Sequence, residues 1–197
     1  IGDKSLSKRD FSRVTIPLGK FGVKFSYKTK NKLPLTILGT QSAEGIKYLE
    51  NKGSAQCKSS VMLAALNASG TTSIKAKKSR DHSELLFKYL KIPIKVRKTK
   101  KFDFIDIKKP KKINAFNYQI PGDISSSAFF MVLTTLTNDS KLLIKNVNIN
   151  PSRVGVITIL KKMGAQITLK NQKNYRGEKI SDILIKSSKK LKAINCP

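Results

Sequence analysis

The sequence predicts an α/β protein in which one supersecondary order, αβαββ, is used twice, and three observations carry that prediction. The segment Gly53-Ser54-Ala55-Gln56-Cys57-Lys58-Ser59-Ser60 runs into the apolar stretch Val61 to Leu66, so a glycine turn and small polar side chains open a buried helix. The same grammar returns at Ile120-Pro121-Gly122-Asp123-Ile124-Ser125-Ser126-Ser127, ahead of the apolar run Ala128 to Leu133. Each copy is followed by a strand-like segment, a second polar cap, another helix and closing strands, and such internal repetition governs the fold class before any single motif does.

Taken in order, Phe11, Val14 and Leu18 keep helical spacing, with Pro17 expected to kink or shorten the helix and Gly19 or Gly22 to end it. Val23 to Tyr27 alternates as a strand, Leu35 to Leu38 is a second, and Glu44 to Asn51 has strand character. A helix over residues 54–67 stops at Ala68-Ser69-Gly70, Thr71 to Ala76 is a strand, and Ser79-Arg80-Asp81-His82 opens an amphipathic helix carrying Leu85, Leu86, Tyr89 and Leu90. Ile92 to Val96 returns to β, and Phe102 to Ile107 is a hairpin strand inside the lysine-rich segment Lys98 to Lys112. In the second copy Leu142 to Lys145 is the strand, Asn150-Pro151-Ser152-Arg153 opens a helix ending near Gly164, and Gln166 to Leu169 and Asp182 to Ile185 close it. The turn-prone Asn117 to Gly122 joins the copies.

Composition narrows the function classes. A chain of 197 residues with 39% hydrophobic content holds a real core, and no run reaches the ~20 apolar residues of a membrane span. Ile1-Gly2-Asp3-Lys4 resembles neither a signal peptide nor an initiation site, so the chain reads as starting within a domain. Cys57 and Cys196 have no metal or disulfide spacing, which fits a reducing cytoplasm and no metal. The balance of 40 Lys+Arg against 12 Asp+Glu, net +28, raises nucleic acid first. Its distribution argues against that partner: the six arginines are scattered, the lysines run from end to end, and the aromatics fall at core-like positions, whereas nucleic-acid readers cluster arginine forks with aromatics. The joint excess of Lys, Ile, Asn and Ser points first to codon bias acting on a solvated surface, and small anionic substrates are the next reading.

Ser7-Lys8-Arg9, Ser54-Ala55-Gln56 and Ser79-Arg80-Asp81-His82 each set a hydroxyl or amide at an expected helix start, and two of them add a guanidinium that forks onto phosphate or carboxylate. Together they describe a cleft for small dianions. Each has a plainer reading: Arg9 as a surface charge, Arg80 as the partner of Asp81 or Glu84, and Ser79 as a cap alone.

These stretches, with Gly2 to Arg9, Gly53 to Ser59, Ser79 to Glu84, Pro121 to Phe130, Asn148 to Arg153 and Lys161 to Ala165 in order, resemble successive motifs of the 5-enolpyruvylshikimate-3-phosphate synthase family along nearly the whole chain. The resemblance implies βαβαββ units of an inside-out α/β barrel, with residues 1–120 the later part of a first domain and 121–197 the first part of a second. It implies transfer of the enolpyruvyl group of phosphoenolpyruvate to the 5-hydroxyl of shikimate 3-phosphate, with no cofactor, no metal, no nucleic-acid or membrane partner, and a monomer when complete. By motif, Ser54, Ala55 and Gln56 would hold shikimate 3-phosphate, Gln56 and Arg9 would reach phosphoenolpyruvate, Arg80 would bind on the shikimate phosphate side, and Asp123 would sit at the mouth of the second domain. Two departures stand out. Arg9 is followed by Asp10 where the family has proline, and the family's Lys-Ser, Asn-Ser-Gly-Thr, Asp-Glu and later Lys and Arg motifs are absent, so the catalytic groups are expected outside this segment, which alone would be inactive. The alternatives are a basic nucleic-acid-binding module and the related transferase acting on a UDP-sugar. The latter wants a reactive loop cysteine, which neither Cys57 nor Cys196 supplies.

Overall fold

The computed structural model describes residues 2–195, so Cys196 lies outside the described residues. The chain divides into two compact units, Ile1–Asn114 and Ala115–Pro197.

In the first unit, Asp3 caps a single turn, α1 (Lys4–Ser7), by accepting the Leu6 N–H at 2.6 Å. Ser7-Lys8-Arg9 therefore ends a helical turn and does not begin one: the cap lies upstream at Asp3, and the Arg9 N–H closes the turn on the Leu6 carbonyl. Next, α2 (Ser12–Gly19) runs through Pro17, which the sequence expects to kink or shorten it. The hairpin β1 (Lys24–Tyr27) and β2 (Leu35–Leu38) follows.

The repeated module comes next as β3 (Lys47–Glu50), α3 (Ala55–Ala65), β4 (Thr71–Lys77), α4 (His82–Tyr89), β5 (Ile94–Lys98) and β6 (Phe102–Lys108). The four strands form one sheet in the order β3-β4-β6-β5, with β3 parallel to β4 and the other pairs antiparallel. Its inner face alternates as two-residue periodicity requires: Ile74 and Ala76 on β4 and Ile105 and Ile107 on β6 pack on Val61, Met62 and Ala65 of α3 and Phe87 of α4. The lysine-rich segment thus contributes the strand between β4 and β5.

The second unit repeats the order with α5 (Ile124–Leu136), β7 (Lys141–Asn148), α6 (Gly155–Met163), β8 (Gln166–Tyr175) and β9 (Glu178–Lys186). Its sheet order, β7-β9-β8, matches β4-β6-β5, and the parallel partner that β3 supplies in the first copy shrinks to one bridge, Gly122 with Val147. Ile183 and Ile185 on the middle strand are fully buried against Met131 of α5 and Ile157 and Leu160 of α6. Both outer strands bulge toward Asp182, which accepts the Asn146 N–H and the Asn171 amide at 2.8 Å each. Both asparagines have φ near +50°, a conformation that residue type tolerates better than most.

Three sequence expectations need correction. The strands at residues 166–169 and 182–185 are much longer, since pairing through the bulges lets polar residues extend the hairpin. Asn150 to Arg153 is a turn ahead of α6, in which the side-chain Oδ1 of Asn150 accepts the Ser152 N–H at 2.8 Å. The aromatics are not mainly core residues: Phe21 and Phe87 are buried, whereas Phe129 and Phe130 are exposed because α5 is apolar around its circumference and buries one side only.

Candidate functional site

The first site element is the entry to α3. Gly53 turns the chain with φ +70°, Ser54 follows in an extended conformation, and its hydroxyl accepts the Cys57 N–H at 3.3 Å. The N–H groups of Ala55 and Gln56 have no partner within the helix, as at any helix start, and the helix dipole adds partial positive charge there. The turn itself is fixed from beneath by buried Glu50, whose two carboxylate oxygens accept the Lys52 N–H at 2.9 Å and the Gly53 N–H at 2.8 Å.

Arg9 and Gln56, distant in sequence, line the same cavity of about 300 Å³ with Leu6, Asp10, Phe11, Arg13 and Val14. Both side chains belong to exposed residues, so an incoming anion reaches them without rearrangement of the core. Asp10 shares that wall, and the Ser12 hydroxyl and then the Ser12 N–H, donated at 2.6 Å, hold its carboxyl below the usual carboxylate range. The carboxylate is thereby committed to the start of α2. Arg13 also lines a neighbouring hollow of about 140 Å³ with Tyr48, Glu50, Lys52 and Cys57.

The second element is the turn before α4. The helix starts at His82 with Asp81 in the cap position and no side-chain cap bond, so Ser79 is not the cap; its hydroxyl is buried and without a hydrogen-bond partner. Arg80 is exposed and its carbonyl accepts Lys58 Nζ at 2.8 Å. Glu84 pairs with Lys58, 2.6 Å away, and Asp81 with Lys98 at 2.7 Å. Ser59 and Ser83 share a hydroxyl contact of 2.6 Å between α3 and α4. The Ser54 and Arg80 segments are therefore tied together.

In the second unit Asp123 caps α5, accepting the Ser126 N–H and hydroxyl at 3.1 Å each. Arg153 reaches Asp123 at 3.0 Å and Ser125 at 2.6 Å. Desolvation raises the Asp123 pKa, but the Ser125 and Ser126 N–H groups, the Ser126 hydroxyl and Arg153 outweigh it and the net shift is downward.

The model of the family described as EPSP synthase (3-phosphoshikimate 1-carboxyvinyltransferase) matches residues 1–197. The chain belongs to the EPSP synthase family. Similar curated relatives are the 3-phosphoshikimate 1-carboxyvinyltransferases of Hydrogenovibrio crunogenus, 43% identical over all of this chain, and Ruthia magnifica, 45% identical over all of it; each alignment covers 44% of the relative. Among solved structures, EPSP synthase from Acinetobacter baumannii superposes with a TM-score of 0.84 at 40% identity, over 100% of this chain and 44% of that one. The enolpyruvyl transferase NikO from Streptomyces tendae shares the fold, with a TM-score of 0.68 at 15% identity over 94% of this chain and 44% of its own. The chain thus has the enolpyruvyl transferase fold and spans under half the length of the EPSP synthases it matches. Glu50, Arg13 and Lys58 of this family member were not singled out by sequence; an acid ending a strand just before Gly53, and a lysine one turn inside α3, are the only signals pointing to the first and last.

Proposed function

We propose that the chain is part of an enzyme that transfers the enolpyruvyl group of phosphoenolpyruvate to the 5-hydroxyl of shikimate 3-phosphate, and that it supplies one anion-binding wall of that site. The observation that carries the proposal is the cavity shared by Arg9 and Gln56. Both substrates are multiply charged anions, and a guanidinium beside a helix N-terminus binds and orients such groups. In this reading Ser54, Ala55 and Gln56 hold shikimate 3-phosphate, Arg80 serves its phosphate side, Arg9 and Gln56 take phosphoenolpyruvate, and Asp123 stands at the mouth of the second domain. Residues 1–120 and 121–197 are then parts of two domains of a cytoplasmic enzyme that is a monomer when complete and uses no cofactor. The proton-transfer groups lie in other parts of that enzyme, so the segment alone binds without turnover.

Titration calorimetry of the chain with shikimate 3-phosphate and with phosphoenolpyruvate tests this. Weak, salt-sensitive binding that is lost in Gln56→Ala, with Arg9→Ala losing phosphoenolpyruvate first, is expected; equal affinities in the variants reject the residue assignment. A phosphate-release assay with both substrates should stay at background.

One observation favours the nucleic-acid reading. Arg97 lies 4.0 Å from the Phe104 ring centroid and Lys75 4.7 Å from that of Phe102, which interleaves cations and aromatics on the sheet face opposite the helices. Affinity for a single-stranded oligonucleotide that falls steeply with salt and is lost in Phe104→Ala supports that reading.

A further inference from the structure

Lys58 is completely buried, a costly place for a cation, and the substrate-binding residues proposed above do not include it. Its Nζ stands 2.6 Å from Glu84 Oε1, itself buried, and donates to the Arg80 carbonyl at 2.8 Å. The ion pair alone does not account for it, because replacing a buried pair by apolar residues of similar volume is often neutral or stabilising. The contact with the Arg80 carbonyl is the informative one. It runs from α3, one turn beyond the Ser54 cap, to the backbone of the residue whose guanidinium points to an anion in the proposed function. Two further contacts press the same segments together: the Ser59–Ser83 hydroxyl pair, and the close backbone approach at Gly53, where a Cβ would stand 3.3 Å from the Lys78 carbonyl.

We infer that Lys58 is a positioning residue, fixing the Arg80 backbone against the first turn of α3 so that the helix N-terminus at Ser54–Gln56 and the Arg80 guanidinium serve one phosphorylated ligand. The inference rests on the proposed role of Arg80. Glu84 neutralises the lysine, and the Arg80 carbonyl is what the lysine holds.

Three variants separate positioning from plain stabilisation. Glu84→Gln breaks the ion pair and keeps the donor to Arg80, whereas Lys58→Met removes that donor; the pair Lys58→Met/Glu84→Met removes both and leaves no buried charge. Calorimetric affinity of the chain for shikimate 3-phosphate and backbone order parameters from amide relaxation are the readouts, with thermal midpoints as the stability control. Glu84→Gln is expected to keep its affinity within about twofold, and the double variant to keep its midpoint while losing about tenfold in affinity, near the ~1.4 kcal/mol of one misplaced contact. The Arg80 and Asp81 order parameters should fall from the rigid range near ~0.85 toward ~0.6 in both variants lacking Lys58. A stable double variant with native affinity and native order parameters overturns the inference. So does a Glu84→Gln variant that loses as much affinity as Lys58→Met. If the unmodified chain binds no shikimate 3-phosphate, the substrate reading fails, and the order parameters alone decide whether Lys58 fixes Arg80. If the double variant does not fold, the two single variants decide.

Discussion

Glu50 accepts the backbone N–H of Gly53 at 2.8 Å with one carboxylate oxygen and that of Lys52 at 2.9 Å with the other. A side chain from the end of β3 thereby shapes the turn that aims the first N–H groups of α3. Hydrogen bonds to a buried charged acceptor contribute more than neutral ones, so Glu50→Gln, which exchanges one acceptor for a donor, should cost about 2 kcal/mol. Glu50→Ala should cost more. Urea denaturation midpoints measure both, and variants as stable as the parent would show that the turn holds its shape without the carboxylate.

Three glycine substitutions should rank in order. A Cβ at Gly45 would lie 2.4 Å from the Thr71 carbonyl oxygen, so Gly45→Ala must displace backbone beside β4 and should be the most destabilising. Gly53→Ala meets only a 3.3 Å approach but holds φ at +70°, which costs about 1–2 kcal/mol for a residue with a side chain. Gly155→Ala, at the start of α6 with nothing within 4 Å, should stabilise by about 0.4–1 kcal/mol. Thermal unfolding of the three variants checks the ranking.

Asp182 sets an acid-side dependence. The Asn146 N–H and then the Asn171 amide hold its carboxyl below its ordinary 3.8. A carboxyl depressed in the folded state contributes stability that is present above 3.8 and lost as pH falls through the lower folded value. Asp182→Ala should lower the unfolding midpoint at pH 7, and the difference from the parent should shrink as pH drops below 3.8. A gap that stays constant with pH would assign the effect to packing.

Tyr48 sets the opposite limb. Burial, then the neighbouring Cys57 and Glu50, push its phenol up to about 12 from an ordinary 10.0. Between those values the unfolded chain ionises while the folded one does not, so stability is full below 10.0 and declines as pH rises toward about 12. Tyr48→Phe should flatten that decline. Ultraviolet titration of the phenolates, with one late component missing in the variant, measures it directly.

Much of this architecture is written in local chemistry. The Ser54 and Asp123 caps, the apolar runs behind them and the alternation of β4 and β6 are determined by neighbours in sequence, and so the repeat and its order of helices and strands along the chain are legible. Of the site, Arg9, Gln56 and Arg80 are legible as anion-compatible residues at turns, and the cavity adds that Arg9 and Gln56 meet. Contacts made at a distance were not legible. Nothing near Lys58 in sequence announces a buried ion pair with Glu84, and nothing near Asp182 announces two bulges on neighbouring strands. Ser7 misleads because the turn starts upstream at the Asp3 cap, and the Ser7 hydroxyl donates back to the Gly2 carbonyl.

The two helix caps divide the labour between the copies of the module. Ser54 leaves the α3 N-terminus electrically open, with a neutral hydroxyl engaged by one N–H. Asp123 brings its own anion to the equivalent place, saturated by Ser126 and Arg153. The repeated module therefore presents one helix start open to an incoming anion and one already matched by its own carboxylate, and exchanging the two residues should exchange those properties with little effect on either fold.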